Sequence, residues 1–177
     1  MSYPDNVMVM RLTSDSKKGK LSRIISLESL HTDKTITADG HTITMTGYPT
    51  PVSGDKRVGD AWKNGLKYAQ QLVVKNKGGK ISVVDGTKLK VEDADEIIVL
   101  MSAATNYVQC MDDSYNYFSQ EDPLEKVQAT LHKVADKKYT ALLATHQKDY
   151  HSLYDRMRLN LGNLPEAPVA PTDSLLK

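Results

Sequence analysis

The sequence predicts a mainly β protein with some α-helix, in which an antiparallel β-sandwich is followed by two amphipathic helices. Residues 7–105 contain short β-prone runs separated by turn residues, a rhythm typical of antiparallel sheets rather than of alternating β and α units. After Tyr107 the apolar residues recur at helical spacing. We therefore divide the chain into a β-sandwich portion (1–107), a helical connector with a short strand (108–164), and a proline-rich linker that leads into the first turn of a further helix (165–177).

Eight strands are expected in the sandwich portion. The Asp39-Gly40 pair joins two runs of alternating Thr and Ile, which is a strong hairpin signal because glycine adopts a positive φ at little cost. Tight turns at residues 78–79, 85–86 and 93–95 separate the last four strands, so we expect a meander in which each pairs with the next. The predicted strands are Val7–Leu12, Leu21–Leu30, Thr35–Thr37, Thr42–Thr46, Leu66–Val74, Ile81–Val84, Lys88–Val91 and Ile97–Ser102.

The segment 47–65 interrupts this rhythm with two prolines, four glycines and the only tryptophan, Trp62. Irregular segments of this length inside a domain are usually functional or mobile. Aromatic faces are good platforms for sugar rings, so we single out Trp62 and Tyr48 as a carbohydrate or interdomain contact, with core packing as the alternative. Tyr68 could also stack on a sugar, but its position in a predicted strand is equally compatible with the core.

Two helices are predicted after the sandwich. Asp122-Pro123 has the pattern of an N-cap followed by proline at the first helical position, and this helix should end near Lys137. The second should run from Tyr139 to about Arg156, followed by a short strand at 158–162. Since two wide apolar stripes cannot fully cover each other, a third surface is implied. The first stripe contains Leu124, Val127, Leu131 and Val134; the second contains Leu142, Leu143, His146, Tyr150, Leu153 and Met157.

Composition excludes several classes of function. The chain has 23 Lys and Arg against 22 Asp and Glu, a net charge of +1, which provides no electrostatic footprint for nucleic acid or an anionic membrane. No apolar run approaches the roughly 18 residues needed to span a bilayer. The single cysteine, Cys110, excludes an internal disulfide and argues against a metal cluster built on thiolates. We predict neither a metal nor a cofactor.

No credible catalytic constellation is visible. The neighbouring acids Asp112-Asp113 and Glu121-Asp122 would need the fold to bring them to a working separation, and helix capping already explains Asp122. His146 and His151 are five residues apart, which is not the i,i+4 spacing of a zinc-binding helix. The sequence also lacks a Gly-x-Ser-x-Gly elbow and a phosphate-binding glycine loop. We assign no catalytic residue to this chain.

The order of several pieces resembles the amino-terminal β-sandwich of glycoside hydrolase family 95 and its connector into the catalytic barrel. No single motif is decisive, but the pieces occur in the family's order over nearly the whole chain. They are Tyr3–Leu12, Gly65–Tyr68, Ala94–Leu100 with Ala103–Tyr107, then Tyr139, His146, Asp149-Tyr150, Leu153, Asp155-Arg156, Leu159–Gly162 and Pro171–Asp173.

The resemblance implies that the parent protein is an α-L-fucosidase, or acts on α-L-galactosides, and hydrolyses by inversion with acidic residues of an (α/α)6 barrel downstream. None of those residues maps onto this chain, so the chain alone is expected to be inactive. Its expected partners are the barrel and a fucosylated glycan. The resemblance further implies a supersandwich that begins inside the fold and a secreted or periplasmic parent, although the first residues do not look like a signal peptide.

Two rival functions come from other classes. A stand-alone carbohydrate-binding module would be favoured by exposed, coplanar rings of Trp62 and Tyr48. A protein-interaction domain would instead use its helical face, and an exposed apolar area of several hundred Å² would favour it or a missing-domain contact.

Overall fold

The computed structural model describes residues 1–14, 20–49, 65–109 and 118–160, and in them two antiparallel sheets are followed by two helices. This confirms the predicted mainly β fold with an antiparallel sandwich and two helices. The strands are β1 (Met8–Thr13), β2 (Leu21–Ser26), β3 (Lys34–Asp39), β4 (Thr42–Gly47), β5 (Tyr68–Lys77), β6 (Lys80–Val84), β7 (Lys88–Ala94) and β8 (Glu96–Thr105), and the helices are α1 (Pro123–Val134) and α2 (Tyr139–Tyr154).

The larger sheet has the strand order β1-β8-β5-β4-β3, and the smaller has the order β2-β7-β6. The β3–β4 hairpin forms where the Asp-Gly pair predicts it: Asp39 pairs with Thr42, and Gly40 has a φ of 53°. Both sheets contribute apolar side chains to the space between them, as expected for a sandwich.

The predicted meander of the last four strands is wrong. Strand β5 pairs with β8 over ten residues, from Tyr68 opposite Thr105 to Lys77 opposite Glu96, while β6 pairs with β7. Gly78 and Gly79 have φ values of 68° and 65°, and a Cβ on Gly79 would lie 2.0 Å from the carbonyl oxygen of Glu92. The glycines therefore let the chain bend from β5 in the larger sheet into β6 in the smaller sheet, so that β5–β6 and β7–β8 form the two arms of one long hairpin. In a meander, the chain would instead have reversed its direction between β5 and β6.

Three layers result, because side chains of the larger sheet alternate between its two faces. One face packs on the smaller sheet and the other packs on α1. The core between the sheets contains Leu21, Ile43, Leu72, Val74, Leu89, Val91, Ala94 and Ile97. The core under the helices contains Val7, Ala69, Leu100, Val127, Leu131, Val134 and Leu142.

Helix α1 begins where its capping residues predict. The Asp122 side chain accepts a hydrogen bond of 2.9 Å from the backbone N–H of Leu124, and Pro123 takes the first helical position. Its apolar stripe packs on the larger sheet in one cluster with Leu142 of α2, so the third surface that the sequence requires is the sandwich itself.

Helix α2 packs far less. Leu142 is its only buried residue, while Leu153 and Tyr154 remain 60% and 62% exposed. The short strand predicted at 158–162 is wrong for residues 158–160, which are exposed and outside any strand. A strand needs a neighbouring ladder to pair with, and local sequence alternation cannot supply one.

None of the helices in the described ranges is long and apolar enough to cross a membrane.

Candidate functional site

A polar cleft of about 150 Å³ lies where the ends of β3 and β4, the start of β5 and the start of α1 meet. Tyr48, one of the two predicted contact residues, lines it. Trp62, the other, lies outside the described residues, as do Cys110, Asp112 and Asp113. The lining residues are Asp33, Lys34, Thr35, Thr46, Gly47, Tyr48, Lys67, Tyr68, Asp122 and Pro123.

Gly47 lines this cleft. It pairs with Lys34 at the end of the β3–β4 ladder, and a Cβ there would lie 2.3 Å from the carbonyl oxygen of Asp33 and 2.8 Å from the Tyr68 hydroxyl. Gly47 is not among the glycines with a positive φ. Space, and not backbone conformation, is therefore what requires glycine at this position.

The Tyr68 hydroxyl is buried and has no hydrogen-bond partner within the described part of the chain. Its ring lies 5.5 Å from the His31 ring, centroid to centroid, at a tilt of 44°. A buried tyrosine hydroxyl usually finds a partner because desolvating it without one is costly. The sequence left Tyr68 open between the core and a sugar contact, and the structure places it partly buried beside the cleft.

Threonine hydroxyls extend from the cleft along one face of the β3–β4 hairpin. Thr35 lies opposite Thr46, and Thr37 lies opposite Thr44. Gln71 on β5 donates a hydrogen bond of 2.8 Å to the Thr44 hydroxyl, which fixes the face on which this row lies. The cleft thus continues into a hydroxyl-bearing surface rather than an apolar one.

Asn106, at the end of β8, holds the segments around the cleft together. Its side-chain oxygen accepts from the backbone N–H of Lys67 at 2.7 Å, and its amide donates to the carbonyls of Gly65 and Ser119 at 2.9 and 3.3 Å. Asn106 is only 3% exposed. It therefore ties the start of β5 to the segment that leads into α1.

The carboxylates with shifted pKa values are unsuited to act as general acids. A hydrogen bond from Lys90 lowers the pKa of Glu92, which also lies 3.4 Å from the Lys80 ammonium. Burial raises the pKa of Asp5, but hydrogen bonds from Lys137 and Ser2 outweigh it and leave the pKa below its ordinary value. Glycoside hydrolysis needs one carboxyl with a raised pKa.

The other candidate residues of the sequence have structural partners. Asp122 caps α1, and Glu121 lies 2.7 Å from the Lys126 ammonium. His151 pairs with Asp155 at 3.2 Å, and the His146 ring lies 6.1 Å from the Tyr150 ring. Among the described residues no group of three or more His, Cys, Asp or Glu side chains could hold a metal.

Sequence reasoning missed Gly47, Asn106 and the threonine row as parts of a site. The alternation Thr42-x-Thr44-x-Thr46 was visible and does predict one polar face. The contacts of Asn106 were not visible, since Gly65 and Ser119 lie 41 and 13 residues away from it in the chain.

In a comparison with known proteins, residues 1–110 match the family described as "Glycosyl hydrolase family 65, N-terminal domain". The chain is 28% identical over 181 residues to "Probable alpha-fucosidase A" of Aspergillus niger, covering 99% of this chain and 21% of that relative. It is 31% identical over 175 residues to "Alpha-L-fucosidase 2" of Arabidopsis thaliana, covering 91% and 20%. The chain thus spans about a fifth of the length of the curated relatives it matches.

Proposed function

The chain belongs to the family described as the N-terminal domain of glycosyl hydrolase family 65, and we propose that it serves as the non-catalytic N-terminal domain and connector of a larger α-L-fucosidase. The predicted resemblance to an N-terminal domain of a fucosidase-like hydrolase is confirmed by the family match and by the names of both relatives. Assignment of the parent to family 95, its action on α-L-galactosides and a secreted or periplasmic location are parts of the proposal.

One observation carries the non-catalytic role. The three layers close around two apolar cores, and the polar groups that border them serve capping, ion pairing and segment tethering. The carboxylates with shifted pKa values have lowered values, so they remain ionised near neutral pH and cannot protonate a leaving group.

Helix α2 is the proposed docking surface for the catalytic barrel. Tyr150 and Tyr154 stack with ring centroids 5.0 Å apart near the C-terminal end of this helix, and both rings and the neighbouring Leu153 side chain are exposed. Met157 and Leu159 extend this exposed surface beyond the helix. Large exposed apolar patches mark interaction sites, and relatives about five times as long supply a partner of suitable size.

The proposal predicts that this chain does not hydrolyse 4-nitrophenyl α-L-fucoside, whereas the proposed longer parent enzyme does. Release of 4-nitrophenolate by each purified protein measures this directly. Turnover by the 177-residue chain that survived repurification, and that disappeared in D112N or D113N, would show that the chain carries its own active site.

A stand-alone carbohydrate-binding module is the second candidate, and the polar cleft at Tyr48 favours it. The gene sequence after codon 177 separates the two candidates. A barrel domain in frame supports the fucosidase parent, and a stop codon supports the binding module.

A further inference from the structure

We propose that residues 164–171, which follow the described part of the chain, form a polyproline II segment that folds back along α2 and covers the exposed rings of Tyr150 and Tyr154. The occupant of this face would then be a segment of the same chain, so the contact does not depend on the proposed function. In the proposed longer enzyme, the same segment would form part of the contact between α2 and the barrel.

Helix α2 has an apolar face that the described residues cover at one end only. Leu142 and Leu153 lie about three helical turns apart, so both side chains point to the same side of the helix at positions about 16 Å apart. Leu142 is 2% exposed, whereas Leu153 is 60% exposed. The described residues therefore leave the apolar face uncovered over the second half of α2.

Two aromatic rings make up much of this uncovered surface. The rings of Tyr150 and Tyr154 stack with their centroids 5.0 Å apart, and both residues are exposed. Met157 and Leu159 continue the exposed apolar surface towards the end of the described residues. Proline-rich segments dock on surfaces lined by aromatic rings, because a polyproline II helix is already extended and loses little entropy on binding.

The sequence of the segment is amphipathic when it is read as a polyproline II helix. Such a helix has three residues per turn, and the prolines recur at every third position, so all of them lie on one face. A second face is also apolar, and only the third carries polar side chains. The proline face has Pro165, Pro168 and Pro171, the second face has Leu164, Ala167 and Ala170, and the third has Glu166 and Thr172 beside Val169.

The length and the preceding turn signal both suit a return along α2. Gly162-Asn163 is a dipeptide typical of tight chain reversals, because glycine takes a positive φ at little cost. A polyproline II helix rises about 3.1 Å per residue, so residues 164–171 would span about 25 Å. The 16 residues of α2 span about 24 Å. After a reversal at 162–163, the segment would therefore reach along the whole helix.

Proteolysis tests this contact in the 177-residue chain. An elastase that cuts after valine cleaves the bond between Val169 and Ala170, and mass spectrometry measures the rate at this bond. Cleavage of a segment that opens and closes rapidly follows the population of its open form. We therefore expect the chain to be cleaved here at least about fivefold more slowly than a synthetic peptide of residues 161–177.

Three variants identify the groups that make the contact. Tyr150→Ala with Tyr154→Ala should raise the rate to that of the peptide, and alanine does not lower the helix propensity of α2. Y150F/Y154F keeps both rings and should keep the wild-type rate. P165E/E166P leaves α2 unchanged and keeps the composition, but it moves one proline to the polar face. It should lose at least about half of the protection, relative to a peptide with the same exchange.

A chain cleaved as fast as the peptide would overturn the proposal, and so would protection that survived the loss of both rings or the P165E/E166P exchange. Protection that increased with protein concentration would assign the face of α2 to a second copy of the chain, and the proposal would again be wrong. The proposed function is tested separately by turnover and by the gene sequence, so it would stand after any of these failures.

Discussion

Asn106 is a buried polar residue whose hydrogen bonds link separate segments of the chain. Besides its three side-chain hydrogen bonds, its backbone N–H donates to the Lys67 carbonyl at 3.2 Å, and its carbonyl accepts from the Ser119 N–H at 2.8 Å. Three segments of the chain are joined through this one buried residue. A hydrophobic side chain of similar volume would fill the space but leave the Lys67 N–H and two carbonyls without partners.

We predict that Asn106→Leu lowers the free energy of unfolding by about 3 kcal/mol, because buried polar groups left unsatisfied carry their full desolvation cost. Urea unfolding measures the change. Gln147→Leu, at an exposed amide on α2, is the matched control and should stay within about 0.5 kcal/mol of the wild type. An N106L protein as stable as Q147L would mean that water replaces the lost bonds.

The two helices differ sharply as elements. Helix α1 has an N-cap, a buried stripe containing Val127 and Leu131, and a hydrogen bond from the Lys75 ammonium on β5 to the Ala135 carbonyl at its C-terminal end. A cation at that end also interacts favourably with the helix dipole. Helix α2 lacks a side-chain cap bond at its start and buries only Leu142, so tertiary packing supports it over a short length.

We predict that backbone amides of residues 142–153 exchange with solvent well before those of residues 97–100 on β8. Helices of about four turns are marginal in water without burial of their apolar face, whereas Ile97 and Leu100 lie in the two cores. Hydrogen exchange followed by mass spectrometry measures this difference as a lower free energy of local opening.

The same measurement tests the docking surface of α2. In the proposed longer parent enzyme, the amides of α2 should become protected from exchange, while the exchange of the β8 amides should change little. Equal protection of the two segments in a monomeric 177-residue chain would indicate that α2 belongs to a closed fold and needs no partner.

At the scale of the whole molecule, the first residues of the chain contact both the helices and the larger sheet. Val7 is buried in the core under the helices, and the Lys137 ammonium, between α1 and α2, donates to Asp5 at 2.7 Å. Farther along, Arg11 pairs with Glu96 and lies 5.0 Å above the Tyr139 ring. The N-terminal segment therefore fastens the helical layer to the larger sheet.

The contact between Asp5 and Lys137 should make the stability of the fold depend on pH. The folded-state pKa of Asp5 lies below its ordinary value, so ionised Asp5 contributes stability that is complete above the unfolded pKa of about 3.9 and is lost as the pH falls through the folded value. Asp5→Asn removes that contribution. The variant should lose less stability than the wild type between about pH 5 and pH 2, as measured by thermal unfolding at each pH.

Asp136→Asn is the control for this comparison, since Asp136 is exposed in the same turn as Lys137. It should retain the acid response of the wild type. If D5N and the wild type lost stability in parallel, the contact between Asp5 and Lys137 would make no difference between the folded and unfolded states.

The sequence alone predicted the elements whose signals are local. The Asp39-Gly40 hairpin, the Asp122-Pro123 start of α1 and the β-rich first hundred residues were all correct, because turn and cap preferences act within a few residues. The ends of the elements were predicted less accurately. Strand β2 ends at Ser26 instead of Leu30, and α1 ends at Val134 instead of near Lys137. Tyr48 lines the cleft, and its role as a carbohydrate or interdomain contact stays a prediction.

Pairing and enclosure were decided by the tertiary structure. Periodicity shows that β5 and β8 are strands, but their pairing depends on how the glycines at 78–79 bend the chain, and a meander satisfies the same local pattern. The cleft has the same origin, since Gly47, Tyr68 and Asp122 become neighbours only after β4, β5 and α1 have packed. Turns, caps and polar faces depend on residues that are neighbours in the sequence, so the sequence by itself determined them. Strand partners and cavities depend on contacts between distant segments, and only the folded molecule brings those segments together.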